Sequence, residues 1–200
     1  MGDLALHVRD HLSLAGAALA LALAVGLPAG ALAAFTPRWG TTVLGALNVA
    51  RVVPSLAVLA LMLPLVGIGF VPALIALTLL AIPPVAINTS LGLRGVPAAT
   101  LEAARGIGMS ETQVRRRVTW PLALPVVFAG IRTASVEVIA SATLAAFIGG
   151  GGLGEYIVNG LASADTSELL EGAVSVGVLA LAAEALLGTV ERRLAAQVFG

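Results

Sequence analysis

Few residues in this chain could do chemistry, and their spacing restricts what that chemistry would be. Thr133, Glu137 and Ser141 follow one another at i, i+4 steps and so share one face of a helix, inside an otherwise apolar stretch. A carboxylate flanked by hydroxyls should not face lipid, and in a low-dielectric path it would favour the passage of a cationic solute. The competing reading is that Glu137 pairs with an arginine and only fixes helix packing. Arg132 lies roughly 140° away around the same helix, so a pair within that helix would be strained and a partner on another chain is the alternative. His7 and His11 have the i, i+4 spacing that lets two imidazoles share a metal. No third ligand is near them, so two solvated histidines and no metal site are expected. The run Gly149–Gly152 lacks the Lys-Ser/Thr ending of a phosphate cradle, which leaves a flexible turn or a re-entrant half-helix. No nucleophile stands beside a base and no carboxylate pair has catalytic spacing, so neither an enzyme nor a bound cofactor is expected.

These residues are held by an apolar framework. With 58% hydrophobic and 11% charged residues and a mean hydropathy of +1.02, a chain of 200 residues cannot hide its apolar surface in one soluble core. It belongs in a bilayer as an all-α polytopic protein, one domain over 1–200. Apolar runs place five spans at about 12–35, 43–66, 70–87, 122–147 and 171–190. Residues 1–11 are a short surface tail of mixed charge. The first run is longer than the core of a signal peptide and lacks a clearly basic flank, so it is read as a retained span. Residues 36–42 form a short loop. The second span carries Asn48, Arg51 and Pro54. Arg51 belongs near the cytoplasmic end or against protein, because an arginine facing lipid is costly, and Pro54 should kink the helix. Asn48 joins Thr133, Glu137 and Ser141 as a candidate for the path through the membrane.

Charge gives the orientation. The 11 basic residues are all arginine, so the chain has no P-loop lysine and any ATP must be bound by another chain. A formal net charge of zero gives no reason to expect nucleic acid, and the absence of cysteine removes disulfides and thiolate sites. Arg38, Arg94, Arg105, Arg115, Arg116, Arg117, Arg192 and Arg193 fall on one side of a five-span arrangement, while Glu155, Asp165 and Glu168 fall on the other. The arginine side is cytoplasmic, the N-terminus outside and the C-terminus cytoplasmic. Arg115–Arg117 read as cytoplasmic anchors touching anionic lipid, with a docking role as the alternative.

Between the third and fourth spans lies the charged segment 96–121. Leu101, Ala104, Ile107 and Gly108 recur at helical spacing, Gly106 and Gly108 allow a turn, and Ser110 with Gln113 forms a capping-box pattern. Pro121 opens the next apolar run. Two short helices joined at a glycine make a knob that projects from the bilayer.

Glu102, Ala103, Ala104, Gly108, Val118, Trp120 and Pro121 resemble the EAA loop of the membrane subunits of ABC importers, with Val118 and Trp120 standing where that family has Ile and Leu. The flanking text, NTSLGLRGVPAATLEAARGIGMS and PLALPVVFAGIRTA, looks like the subgroup that imports osmoprotectants such as glycine betaine, choline or carnitine. The resemblance covers nearly all of residues 48–160. It implies a type I importer permease whose knob docks on a cytoplasmic ATPase, with Glu102 orienting the docking helix, Ala103 and Ala104 allowing close approach, and Gly108 supplying the turn. It also implies an extracytoplasmic substrate-binding protein and a second permease chain, expected to be identical. Methionine or another small polar solute is the alternative cargo, and an ATP-independent secondary carrier is the rival from another class.

Overall fold

The computed structural model describes residues 2–199, and within them the side chains of residues 4–36 and 40–197. Asp3, Arg38 and Trp39 therefore lie outside the described side chains. The chain is helical almost throughout: α1 (Gly2–Phe35), α2 (Pro37–Ala50), α3 (Ser55–Val66), α4 (Phe70–Arg94), α5 (Ala98–Gly106), α6 (Glu111–Val114), α7 (Trp120–Ser141), α8 (Gly154–Ser163) and α9 (Thr166–Phe199). A π turn, Arg115–Thr119, joins α6 to α7, and a 3₁₀ turn, Ala142–Ile148, follows α7. Four stretches are long and apolar enough to cross a membrane: Leu4–Phe35, Phe70–Arg94, Glu111–Ile148 and Thr166–Gln197. Helices α2 and α3 together make a fifth, bent by 92° at the break between them.

Helix α4 is the centre of the bundle, with α1 and α7 packed against it and much of its length buried. Small residues make that packing possible. Ala18, Ala22, Ala73, Ala76, Ala81 and Ala134 are fully buried, and Leu59 and Leu77 fill the remaining space. In lipid there is little hydrophobic drive for helices to associate, so close backbone approach at small residues carries the packing. Gly130 shows how tight it is, since a Cβ there would stand 2.8 Å from the Pro84 carbonyl oxygen of α4. Helix α9 packs along α7 and α8 and is otherwise largely exposed.

The two ends of the bundle differ. At one end the Gly69 amide donates to the Ile148 carbonyl (2.7 Å), and His7 of α1 meets Glu155 of α8 (3.0 Å). At the other, the Arg94 guanidinium donates to the Ala33 carbonyl, and Arg115 lies 4.6 Å over the ring of Phe35. The knob formed by α5 and α6 belongs to this second end.

Several local expectations are corrected. The residues read as a surface tail are the start of α1, and His11 is fully buried rather than solvated; its Nε2 lies 3.0 Å from the Ile139 carbonyl oxygen. Residues 37–42, read as loop, are the first turns of α2, where Pro37 sits in the first turn and needs no amide partner. The expected kink at Pro54 is a full interruption, because the proline removes an amide and residues 51–54 leave the helix. The helix expected to begin near Leu122 is continuous from Glu111, and the last helix extends well beyond 171–190 at both ends. Asp165 explains the early start of α9, its carboxylate accepting from the amides of Ser167 (2.9 Å) and Glu168 (3.2 Å).

Candidate functional site

The knob is built by two local devices. Helix α5 ends in a Schellman-type turn, in which the Met109 amide donates to the Ala104 carbonyl (3.2 Å) while Gly108 adopts φ +86°. Gly106 remains helical, so of the two glycines only Gly108 uses its conformational freedom. Helix α6 then starts at Ser110 with both halves of a capping box: the Gln113 amide donates to Ser110 Oγ (3.4 Å) and the Ser110 amide to Gln113 Oε1 (2.8 Å). Arg105 and Glu111 clamp the two helices together with an exposed ion pair, Nε to Oε1 2.6 Å. Their six-residue spacing across a turn matches no helical register, and so gave no signal in sequence.

The candidate docking residues divide into outer and inner positions. Glu102, Ala103 and Gly108 are exposed, whereas Ala104 is buried, so its small side chain seats the knob on its own chain. Val118 and Pro121 are half-buried at the base. Ile107, at the C-terminal end of α5, is 77% exposed, an apolar side chain at the tip of a polar knob. Val114 and Thr119 are buried beneath, and a groove of about 250 Å³ separates the knob from the ends of α1 and α4. Pro121 stands in the first turn of α7, as expected, although that helix follows α6 without a break. The π turn joins the two, with the Trp120 amide reaching back to the Arg115 carbonyl and Thr119 Oγ1 donating to the Val114 carbonyl. Widening the helix here accommodates the proline ring without a break.

A second cluster lies along α7. Thr133 is exposed and Glu137 and Ser141 are part-buried on the face expected. Asn48, near the end of α2, is exposed. Arg132 does not serve Glu137. It holds two carboxylates of α9 instead, Glu184 (2.7 Å) and Glu191 (2.6 Å). This triad ties α7 to α9 and removes Glu184 as a free acid in the membrane.

At the far end, His7 Nε2 pairs with Glu155 and meets the Tyr156 ring edge-on, with centroids 5.0 Å apart. Gly149, Gly151 and Gly152 all have positive φ, and the backbone of Gly152 rests against His11. The glycine run is thus a tight packing turn leading into the short helix α8. Among the described residues no group of three or more His, Cys, Asp or Glu side chains could hold a metal.

Residues 26–196 match the sequence family described as "Binding-protein-dependent transport system inner membrane component". The chain is 40% identical over 193 residues to the choline transport system permease protein of Bacillus subtilis (strain 168), covering 96% of this chain and 89% of that one. It is 42% identical over 192 residues to a carnitine transport permease protein of Listeria monocytogenes (96% and 88%). It is 41% identical over 191 residues to an osmoprotectant import permease protein of Salmonella typhimurium (93% and 89%). Among solved structures, an inward-facing MetNI methionine ABC transporter matches with a TM-score of 0.84 at 22% identity, over 96% of this chain and 95% of that one. At that identity the likeness concerns the fold.

Proposed function

This chain belongs to the inner membrane components of binding-protein-dependent transport systems, and on that premise we propose that it is the permease of an ATP-driven importer for quaternary ammonium osmoprotectants such as glycine betaine, choline or carnitine. One observation carries the choice of cargo: identity of about 40% to choline, carnitine and osmoprotectant permeases extends over 93–96% of this chain. The methionine alternative has only the likeness of fold behind it.

The whole chain, 1–200, acts as one permease domain. Its knob seats on a separate ATPase subunit, with Glu102, Ala103, Ile107 and Gly108 on the outer surface and Ala104, Val118 and Pro121 supporting them from below. ATP binding draws two knobs together and opens the path outward, and hydrolysis reverses the change. A binding protein delivers solute at the opposite end. A second, identical permease chain completes the path, because four or five spans expose the polar face of α7 rather than enclose it. The remaining apolar surface meets lipid. The knob end is cytoplasmic, with the N-terminus outside and the C-terminus inside. Arg94, Arg105 and Arg115–Arg117 lie at that end, and Glu155, Asp165 and Glu168 at the other, the asymmetry that orients membrane proteins.

Reconstitution of the permease with its ATPase and binding protein in proteoliposomes tests this. ATP-dependent uptake of at least one of glycine betaine, choline and carnitine is expected. Uptake of methionine but none of the three would refute the cargo, and uptake without the ATPase would refute the class.

A further inference from the structure

Docking of the knob's outer surface on an ATPase leaves the groove beneath the knob unused. This groove, about 250 Å³ in volume, is bounded by the ends of α1 and α4 on one side and by α5, α6 and the π turn on the other. Arg94, Arg105 and Arg115 all line it with Glu111 as the single acid, so one space carries an excess of two positive charges. Glu111 is taken by Arg105. Among the described residues neither Arg94 nor Arg115 has a carboxylate within 4.0 Å. Both are nevertheless held in place. Arg94 donates to the Ala33 carbonyl, which leaves the other N–H groups of its fork, and the Arg115 guanidinium lies over the Phe35 ring. The rest of the lining is mostly apolar, with Leu93, Val96 and Val114 buried in its wall.

The height of the groove selects its occupant. Phe35 and Arg94 are the last residues of two membrane-crossing stretches, Leu4–Phe35 and Phe70–Arg94, and both line the groove. A cavity where two spans end stands at the level of the lipid headgroups. We propose that it binds an anionic phospholipid, with the phosphate held by Arg94 and Arg115 and the glycerol and upper acyl carbons lying along Leu93 and Val96. The planar guanidinium fork matches a pair of phosphate oxygens. A zwitterionic headgroup brings its own cation into a space already in positive excess, so it fits less well. Free phosphate matches the arginines but leaves the apolar wall uncovered. Arg94 belongs to a span, whereas Arg105 and Arg115 belong to the knob and its root. The bound headgroup therefore ties the knob to the bilayer at the point where the ATPase pushes on it, whichever solute is carried.

The test is native mass spectrometry of the detergent-purified permease–ATPase complex, delipidated and then titrated with phosphatidylglycerol or phosphatidylcholine. Phosphatidylglycerol should bind the more tightly. Arg115→Gln and Arg94→Gln should each weaken the tightest phosphatidylglycerol about five-fold or more, and Arg115→Lys should restore part of the loss. Arg115 is exposed, so its replacement leaves the fold intact, which the unfolding midpoint checks. Arg116 provides the control, because it lines a separate cavity with Thr112, Gln113 and Arg117. Arg116→Gln removes the same charge one residue away and should leave that affinity unchanged. Equal losses at Arg115 and Arg116 would reveal a diffuse basic surface and overturn the proposal. Displacement of the lipid by inorganic phosphate would overturn it too, by making the ligand a soluble anion. So would release of the lipid when ATPase is added to the permease alone, which would assign the groove to the ATPase interface, or equal affinity for the two lipids.

Discussion

Replacing Gly108 with alanine isolates the backbone of the knob from everything else. A Cβ at this position would meet no atom within 4 Å, so the substitution introduces no clash. Its cost comes from φ, which at +86° lies where an L-residue is disfavoured by about 1–2 kcal/mol. At about 1.4 kcal/mol per tenfold, the docking-competent turn becomes about 5- to 30-fold less populated. Affinity for the ATPase should fall by the same factor. Gly106, two residues earlier, provides the control. It also has open space around its Cβ position but is helical, so Gly106→Ala should be neutral or slightly favourable. Gly108→Asn should be milder than Gly108→Ala, because asparagine tolerates the left-handed region. The assay is titration of nanodisc-embedded permease with its ATPase, together with thermal unfolding. Unfolding should barely change, since the turn lies outside the packed bundle. Wild-type affinity in Gly108→Ala, or equal losses at Gly106 and Gly108, would show that the turn geometry does not control docking.

Ile107→Ser should weaken the same titration by removing an apolar contact worth about 1.5–3 kcal/mol when buried, while leaving the unfolding midpoint unchanged; a lowered midpoint would place Ile107 in the fold instead. Arg132→Gln leaves Glu184 and Glu191 facing each other without their cation, so it should lower the unfolding midpoint in detergent, and adding Glu184→Gln with Glu191→Gln should recover much of the loss. No recovery would mean that the triad is not the cause. Gly130→Val should cost at least about 1–3 kcal/mol, because its side chain meets the backbone of α4, which cannot step aside as a side chain can; near-native unfolding would refute the close α4–α7 approach. For orientation, a reporter active only outside the cell should work when fused after Gly160 and fail after Ser110 or at the C-terminus, and the reverse pattern would invert the assignment.

What was legible in the sequence is what local chemistry decides. Continuous apolar runs identified the spans, because a bilayer demands about 20 apolar residues whatever the neighbours do. The Ser110–Gln113 capping box was readable because both partners lie within one turn, and the EAA-like spacing was readable because it is a pattern along the chain. Tertiary structure decided the rest. Arg132 chose carboxylates 52 and 59 residues away over Glu137 on its own helix, since the i, i+5 position points elsewhere and α9 brings its acids alongside. His11 became a buried packing residue because two segments distant in sequence meet it, α7 at Ile139 and the glycine turn at Gly152. Ala104 is buried and Ile107, one turn on, is exposed, a difference that depends on how far the packed face of the knob extends and not on the helical spacing the two share. Pro121 is in the first turn of α7 as its place in the sequence suggested, but the π turn that joins this start to α6 without a break was not readable there. The interruption at residues 51–54 looked like a kink. Whether the chain bends or breaks at a proline depends on what packs around it, which a sequence does not carry, and here the helix stops and the chain turns by 92°.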